Sequence, residues 1–168
     1  MKVYSFDPAI PGYLTGTLAA VLDNNPETEG AYELWIWPDL VNEDSYLFEH
    51  EQSGGGGLYA SLKLVKSTGK LVFNSPFTSN IDIESTASVS EQNWHHVAVS
   101  MEGTFLNFIT DSTTEQSNSG TSFASPVSGN FNIGFSSLVS NSEFQGQMLE
   151  IRIWKQRSVN NLLAYAHS

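Results

Sequence analysis

The feature that most constrains this chain is the period of its apolar residues, which is two. In Ala31-Tyr32-Glu33-Leu34-Trp35-Ile36-Trp37, Tyr32, Leu34 and Ile36 share one side of an extended chain. Glu33, Trp35 and Trp37 share the other, and Pro38-Asp39 stops the run. Leu58, Ala60, Leu62 and Leu64 repeat the pattern. Thr68-Gly69-Lys70 then reads as a tight turn into Leu71-Val72-Phe73, which predicts a hairpin. Further strands are predicted over 3–6, 15–22, 46–51, 81–89, 95–101, 105–110, 131–135 and 147–154. Turn residues separate them at 23–26, 53–57, 101–104 and 117–120. Short strands at this spacing predict an all-β, antiparallel sandwich or barrel. Only 160–167 reads as helical, a short C-terminal helix with Leu162, Leu163 and Ala166 on one side. Neither a repeat nor a long linker divides the chain, so residues 1–168 read as one domain.

Composition narrows the chemistry. With 168 residues, 40% of them hydrophobic, the chain can build a core without a metal or disulfide. It has no cysteine, so disulfides and thiolate sites are excluded. Seven basic and eighteen acidic residues give a net charge of −11. No basic residue lies between Lys2 and Lys63, nor between Lys70 and Arg152. Such a surface repels phosphate backbones and anionic lipid, so nucleic acid and membrane insertion are not expected. It does suit a divalent cation. The opening Met1-Lys2-Val3-Tyr4-Ser5-Phe6-Asp7-Pro8 breaks any apolar run with Asp7 and Pro8, so it does not read as a secretory signal.

Two segments go beyond generic β-structure. One is Asn93-Trp94-His95-His96-Val97-Ala98-Val99-Ser100, followed by Met101-Glu102-Gly103-Thr104. The other is Phe144-Gln145-Gly146-Gln147-Met148-Leu149-Glu150-Ile151-Arg152-Ile153-Trp154, preceded by Ile133-Gly134. Together with Leu34-Trp35-Ile36-Trp37-Pro38 they resemble, in order, the landmarks of laminin G-like domains within the concanavalin A-like lectin/glucanase superfamily. The resemblance implies two antiparallel sheets in a jelly roll. It covers the chain from about Ala31 to its end. Leu149 stands where that family usually has Asp, and its Asp-Gly turn reads Thr110-Asp111 or Asp111-Ser112 here.

The chemical candidates are few. Asn80-Ile81-Asp82-Ile83-Glu84 puts Asn80, Asp82 and Glu84 on one face of a strand. Laminarinase-type glucanases of this fold carry two glutamates and an aspartate in that pattern. Here Asn80 takes the nucleophile's place, and an amide cannot form the glycosyl-enzyme intermediate. These residues remain candidates for touching a glycan. Trp35 and Trp37 offer ring faces on which sugars stack, with Tyr59 as a lesser candidate. Asp23, Asn24, Glu43, Asp44 and Asp111 sit at strand ends and are candidate calcium ligands, although they follow no fixed motif. His95 and His96 are adjacent on a strand, point to opposite faces and do not suit one metal. The sequence suggests no Ser/His/Asp triad and contains no G-x-S-x-G.

The expected function is a non-catalytic, lectin-like recognition module for a carbohydrate or a glycosylated surface. No cofactor is required, with calcium as the one ion the composition favours. The alternative is a structural virion surface protein, a decoration or fibre component that self-associates or docks on a larger assembly. Its localisation would be extracellular or on a virion surface. A glucanase is disfavoured by Asn80.

Overall fold

The inward-facing residues of the alternating segments meet in one core. A computed structural model describes residues 3–6, 14–18, 29–39, 44–51, 58–75, 81–118 and 129–154. Twelve strands lie among them: β1 (Val3–Phe6), β2 (Leu14–Leu18), β3 (Glu29–Pro38), β4 (Ser45–Glu51), β5 (Leu58–Leu64), β6 (Lys70–Ser75), β7 (Ile81–Ser88), β8 (His95–Glu102), β9 (Phe105–Thr110), β10 (Thr113–Asn118), β11 (Gly129–Ile133) and β12 (Gly146–Trp154). They form two six-stranded sheets. The first runs β1-β12-β3-β8-β9-β10 and the second β2-β11-β4-β5-β6-β7. Every strand pairing is antiparallel. The result is the expected all-β, two-sheet jelly-roll sandwich.

Alternation explains the packing. Tyr32, Leu34, Ile36, Val97, Val99, Leu106, Phe108 and Met148 turn inward from the first sheet. Phe48, Leu62, Leu64, Leu71, Phe73 and Phe131 meet them from the second. Tyr32 stacks on Phe48 at 4.3 Å between ring centroids, joining the layers. Fully burying side chains of this size stabilises by roughly 1.5–3 kcal/mol each.

Three local features refine the sequence reading. Residues 117–118, read as turn, belong instead to β10, which pairs with β9 from Thr113↔Thr110 to Asn118↔Phe105. Its Thr-Thr-Glu-Gln-Ser-Asn composition has no apolar alternation because it is an edge strand of the first sheet. The hairpin before it turns on Asp111 at φ 54°, so Asp111-Ser112 occupies the place of the family's Asp-Gly. Second, β12 carries a bulge between Leu149 and Arg152, with Glu150 at φ 53°. The extra residue inverts the alternation, so Ile151 and Ile153 turn to the core and Arg152 stands opposite Glu33. Third, Gly146 starts β12 at φ 140°, and a Cβ there would lie 2.1 Å from the Trp37 carbonyl oxygen. This accounts for the Phe-x-Gly motif.

The expected strand over 15–22 is observed as Leu14–Leu18, and residues 19–22 lie outside the described set. So does the expected helix over 160–167. Among the described residues, no helix is long and apolar enough to cross a membrane.

Candidate functional site

Each sheet has an outer face, and the two differ. On the second sheet the core takes Phe48, Leu62, Phe73, Ile83 and Phe131. The alternate positions therefore turn outward, and the register lines them up. Asn132 stands opposite Glu49, Glu49 opposite Ser61, Ser61 opposite Asn74, and Asn74 opposite Asp82. One row of hydrogen-bonding side chains thus crosses five strands. A neighbouring row brings Tyr46 opposite Lys63, Lys63 opposite Val72, and Val72 opposite Glu84.

The side chains of the first row bond to one another. Asn132 Nδ2 donates to Glu49 Oε1 at 3.1 Å and to Glu51 Oε1 at 2.9 Å. The segment after β11 closes over Glu49. There the Ser137 amide donates at 2.9 Å and its hydroxyl at 3.0 Å, while the Ser136 hydroxyl bonds the second carboxylate oxygen. Ser137 also reaches Glu51. At the other end Asn74 Nδ2 donates to Asp82 Oδ1 at 2.6 Å, and Lys70 Nζ meets Glu84 Oε1 at the same distance. Glu49 is buried, Glu51 half-buried, and Asn130, Asp82 and Glu84 exposed.

The local field is negative. The hydrogen bond from Ser137 leads in holding the Glu51 carboxyl below the usual range; burial opposes it, and Asn132 and Asn130 add to it. The Tyr46 hydroxyl is pushed up by burial first, then by Glu49, Asp82 and Asp44.

The sequence candidates divide between the two faces. Asp82 and Glu84 belong to this site, and Tyr59 lies in β5 where its pairing with β4 shifts register between His50 and Glu51. Asn80 lies outside the described residues, as do Asp23, Asn24 and Glu43. Trp35 and Trp37 are on the outer face of the first sheet, on the far side of the sandwich. Trp35 tilts against His96 at 5.4 Å, and Trp37 meets Trp94 edge-on at 5.8 Å. Beside them Glu33 is buried, accepting from His96 Nε2 at 3.0 Å, Trp154 Nε1 at 2.7 Å and Arg152 at 3.4 Å. Burial raises its carboxyl, but the bonds to His96 and Trp154 and the nearby charges outweigh it and hold the group low.

The two described calcium candidates stand apart, and each is bonded to protein donors. Asp44 accepts from the Lys66 amide at 3.0 Å and lies 3.9 Å from Lys63 Nζ. Asp111 accepts from the His96 amide at 3.0 Å and from His95 Nδ1 at 2.9 Å. Among the described residues, no group of three His, Asp or Glu side chains is arranged to hold a metal. His95 Nε2 also meets the Ser90 hydroxyl at 2.8 Å, so Ser90, His95 and Asp111 form a string that the sequence spacing did not suggest. The string ties the loop before β8 to the β9–β10 turn.

The sequence reading missed Tyr46, Glu49, Glu51, Asn74, Asn130, Asn132, Ser136 and Ser137. A usable signal lay in Asn130-Phe131-Asn132, where polar residues alternate around an inward aromatic.

Comparison with known proteins agrees with this architecture. No curated protein sequence matches the chain. Among solved structures, a native heptameric SAP-like pentraxin from Limulus polyphemus superposes with a TM-score of 0.72 at 14% identity, over 99% of this chain and 81% of that one. The LG1-3 region of the laminin alpha2 chain gives 0.66 at 15% identity, over 90% of this chain and 30% of that one. Domain 4 of the extracellular arabinanase AbnA from Geobacillus stearothermophilus, solved with arabinotriose, gives 0.63 at 13% identity, over 98% and 87%. At these identities the likeness is one of fold. The family model described as the concanavalin A-like lectin/glucanases superfamily matches residues 13–160, and with the two-sheet sandwich in place the chain belongs to that superfamily.

Proposed function

We propose that the chain is a non-catalytic recognition module that holds a short glycan on the outer face of the second sheet. The accessible polar residues of that face, Asn130, Glu51, Asn74, Asp82 and Glu84, carry this reading, set over the buried Asn132, Glu49 and Ser61 of the same row. Saccharides are bound through planar arrays of amides and carboxylates that accept and donate to neighbouring hydroxyls. Here such an array is already ordered by its own internal hydrogen bonds, so little side-chain entropy remains to be lost on binding. The fold neighbour solved with arabinotriose is a precedent for a short saccharide on this architecture.

The decisive measurement is titration of the chain with neutral oligosaccharides by calorimetry or on a glycan array. Saturable binding is expected. Asp82→Ala and Asn130→Ala should each weaken it about tenfold, the loss of one or two hydrogen bonds. Trp37→Ala should leave affinity within about twofold, because that ring lies on the other face. The same titration with a chelator tests the calcium expectation. Flat binding across a broad array would overturn the proposal. Loss of binding in Trp37→Ala with retention in Asp82→Ala would move the site to the first sheet.

A further inference from the structure

Ser90, His95 and Asp111 are joined in series where β8 begins. His95 is the first residue of β8 and stands opposite Ile36, a core residue, so its ring turns to the core side of the first sheet. The ring lies between two partners. Nδ1 is 2.9 Å from Asp111 Oδ2, and Nε2 is 2.8 Å from the Ser90 hydroxyl. A carboxylate only accepts hydrogen bonds, so Nδ1 carries the proton and donates. Nε2 of the neutral ring is then the acceptor, and the Ser90 hydroxyl donates to it. The carboxylate is fixed in turn. Asp111 Oδ1 accepts from the His96 amide at 3.0 Å, and the Asp111 amide donates to the His96 carbonyl at 2.7 Å. Asn93 Nδ2 lies 3.4 Å from Ser90 Oγ and 3.0 Å from the Glu91 carbonyl. Ser90 is exposed. Val89 and Glu91, on either side of it, line a hollow of about 190 Å³ with Pro38, Leu64 and Val65. The His95–Asp111 bond alone would tie the turn to β8. An exposed hydroxyl on the far ring nitrogen adds what a nucleophile needs.

We propose that this string makes Ser90 a nucleophile that hydrolyses small, uncharged carboxylic esters with short aliphatic acyl groups. The proposal goes beyond the glycan reading and does not rest on it. Ser90 Oγ bonds to the ester carbonyl carbon as its proton passes to His95 Nε2. Asp111 is a positioning residue: it holds the ring in the tautomer that takes this proton and faces the imidazolium that forms. Asn93 Nδ2, already beside Oγ, is the donor available to the carbonyl oxygen as it becomes an oxyanion. Collapse of the adduct breaks the bond to the alcohol oxygen, which leaves with the proton from Nε2. Water then adds to the acyl carbon and gives a proton to Nε2. The acyl–Oγ bond breaks, Oγ regains the proton and the acid departs. The balance is ester plus water to acid plus alcohol. Pro38, Leu64, Val65 and Val89 suit a short aliphatic acyl chain. The net charge of −11 disfavours anionic esters. The Asp111 side chain is 50% exposed, so water weakens its hold on the ring and a modest rate is expected.

The test uses the intact chain with p-nitrophenyl acetate and butyrate, and with a fluorophosphonate that traps nucleophilic serines. Both esters should be hydrolysed faster than in buffer, and peptide mass mapping should find the phosphonyl adduct on Ser90. Ser90→Ala should abolish hydrolysis and adduct together. His95→Gln should lower kcat about a hundredfold or more, the share of a general base. Asp111→Asn should lower kcat by about tenfold or more while KM stays within about twofold, because Asp111 touches the ring and not the substrate. Melting curves verify that each variant is folded; if His95→Gln is not, Ser90→Ala, at an exposed position, decides. Hydrolysis no faster than buffer would overturn the proposal. Hydrolysis retained in Ser90→Ala would overturn it too, as would an unchanged kcat in Asp111→Asn. Each of these results leaves the glycan reading standing, since glycan titration of Ser90→Ala reads that separately.

Discussion

The two outer faces of the sandwich each bury a glutamate, but with different donors around it. On the first sheet one glutamate, Glu33, is buried and enclosed by His96, Arg152 and Trp154. Ala31, Ala98, Ile109 and Trp154 pack into a small apolar cluster on the same face. On the second sheet Glu49 is likewise buried and bonded by Asn132, Ser136 and Ser137, whereas Glu51 is half-buried and Asp82 and Glu84 are exposed, Asp82 bonded by Asn74 and Glu84 by Lys70. A charge taken out of water requires committed donors, and Glu33 has them. Acids at a wet surface can exchange one donor for another. Glu33 on the first face and Glu49 on the second both have committed donors, whereas Asp82 and Glu84 at the edge of the second sheet stay in contact with water.

The largest test of this contrast is Glu33→Ala. Its removal leaves buried donors without their acceptor and should destabilise the fold by about 3 kcal/mol, read from urea unfolding. A loss below about 1 kcal/mol would break the contrast. Asn132→Ala comes next. It strips one donor from buried Glu49 and should cost about 1–2 kcal/mol while also weakening glycan binding. An effect on binding with none on stability would mean that Ser136 and Ser137 suffice for Glu49.

Acid should separate the faces as well. The Glu33 carboxyl is held below the ordinary glutamate value of 4.5 in the folded chain. The unfolded chain then binds more protons, so the stability that Glu33 contributes is complete above 4.5 and falls as the pH drops through the lower folded value. Glu51 and Glu115 are shifted in the same direction, Glu115 while accepting from the Thr86 and Ala87 amides at 2.5 Å each. Denaturation midpoints between pH 7 and pH 3 should fall, and Glu33→Gln should flatten that slope more than Glu51→Gln. The smallest effect is expected at Lys70→Gln. Its pair with Glu84 is partly exposed, so stability should change by less than about 1 kcal/mol. A larger loss would give the margin of the second sheet a structural role like that of Glu33.

Much of the fold is legible in the order of residues alone. Tyr32, Leu34 and Ile36 turn inward as their spacing predicts, and the Trp94-His95-His96 and Phe144-Gln145-Gly146 segments mark strands of the expected family. β10 is not legible, because an edge strand with polar composition shows no alternation. The site is half legible. Asp82 and Glu84 are visible within one strand. Glu49 and Asn132, by contrast, are 83 residues apart, and only the pairing of β11 with β4 brings them together.

Alternation is a local property. It determines which side chains of a strand share a face, and so it reached the core, the fold class and the grouping of Asp82 with Glu84. Which strands become neighbours, and in what register, is decided only when the two sheets form. That step put Trp35 and Trp37 on the opposite side of the sandwich from Asp82. It also used a single extra residue in β12 to set Arg152 against Glu33. Neither arrangement follows from local periodicity, because both depend on contacts between segments far apart along the chain.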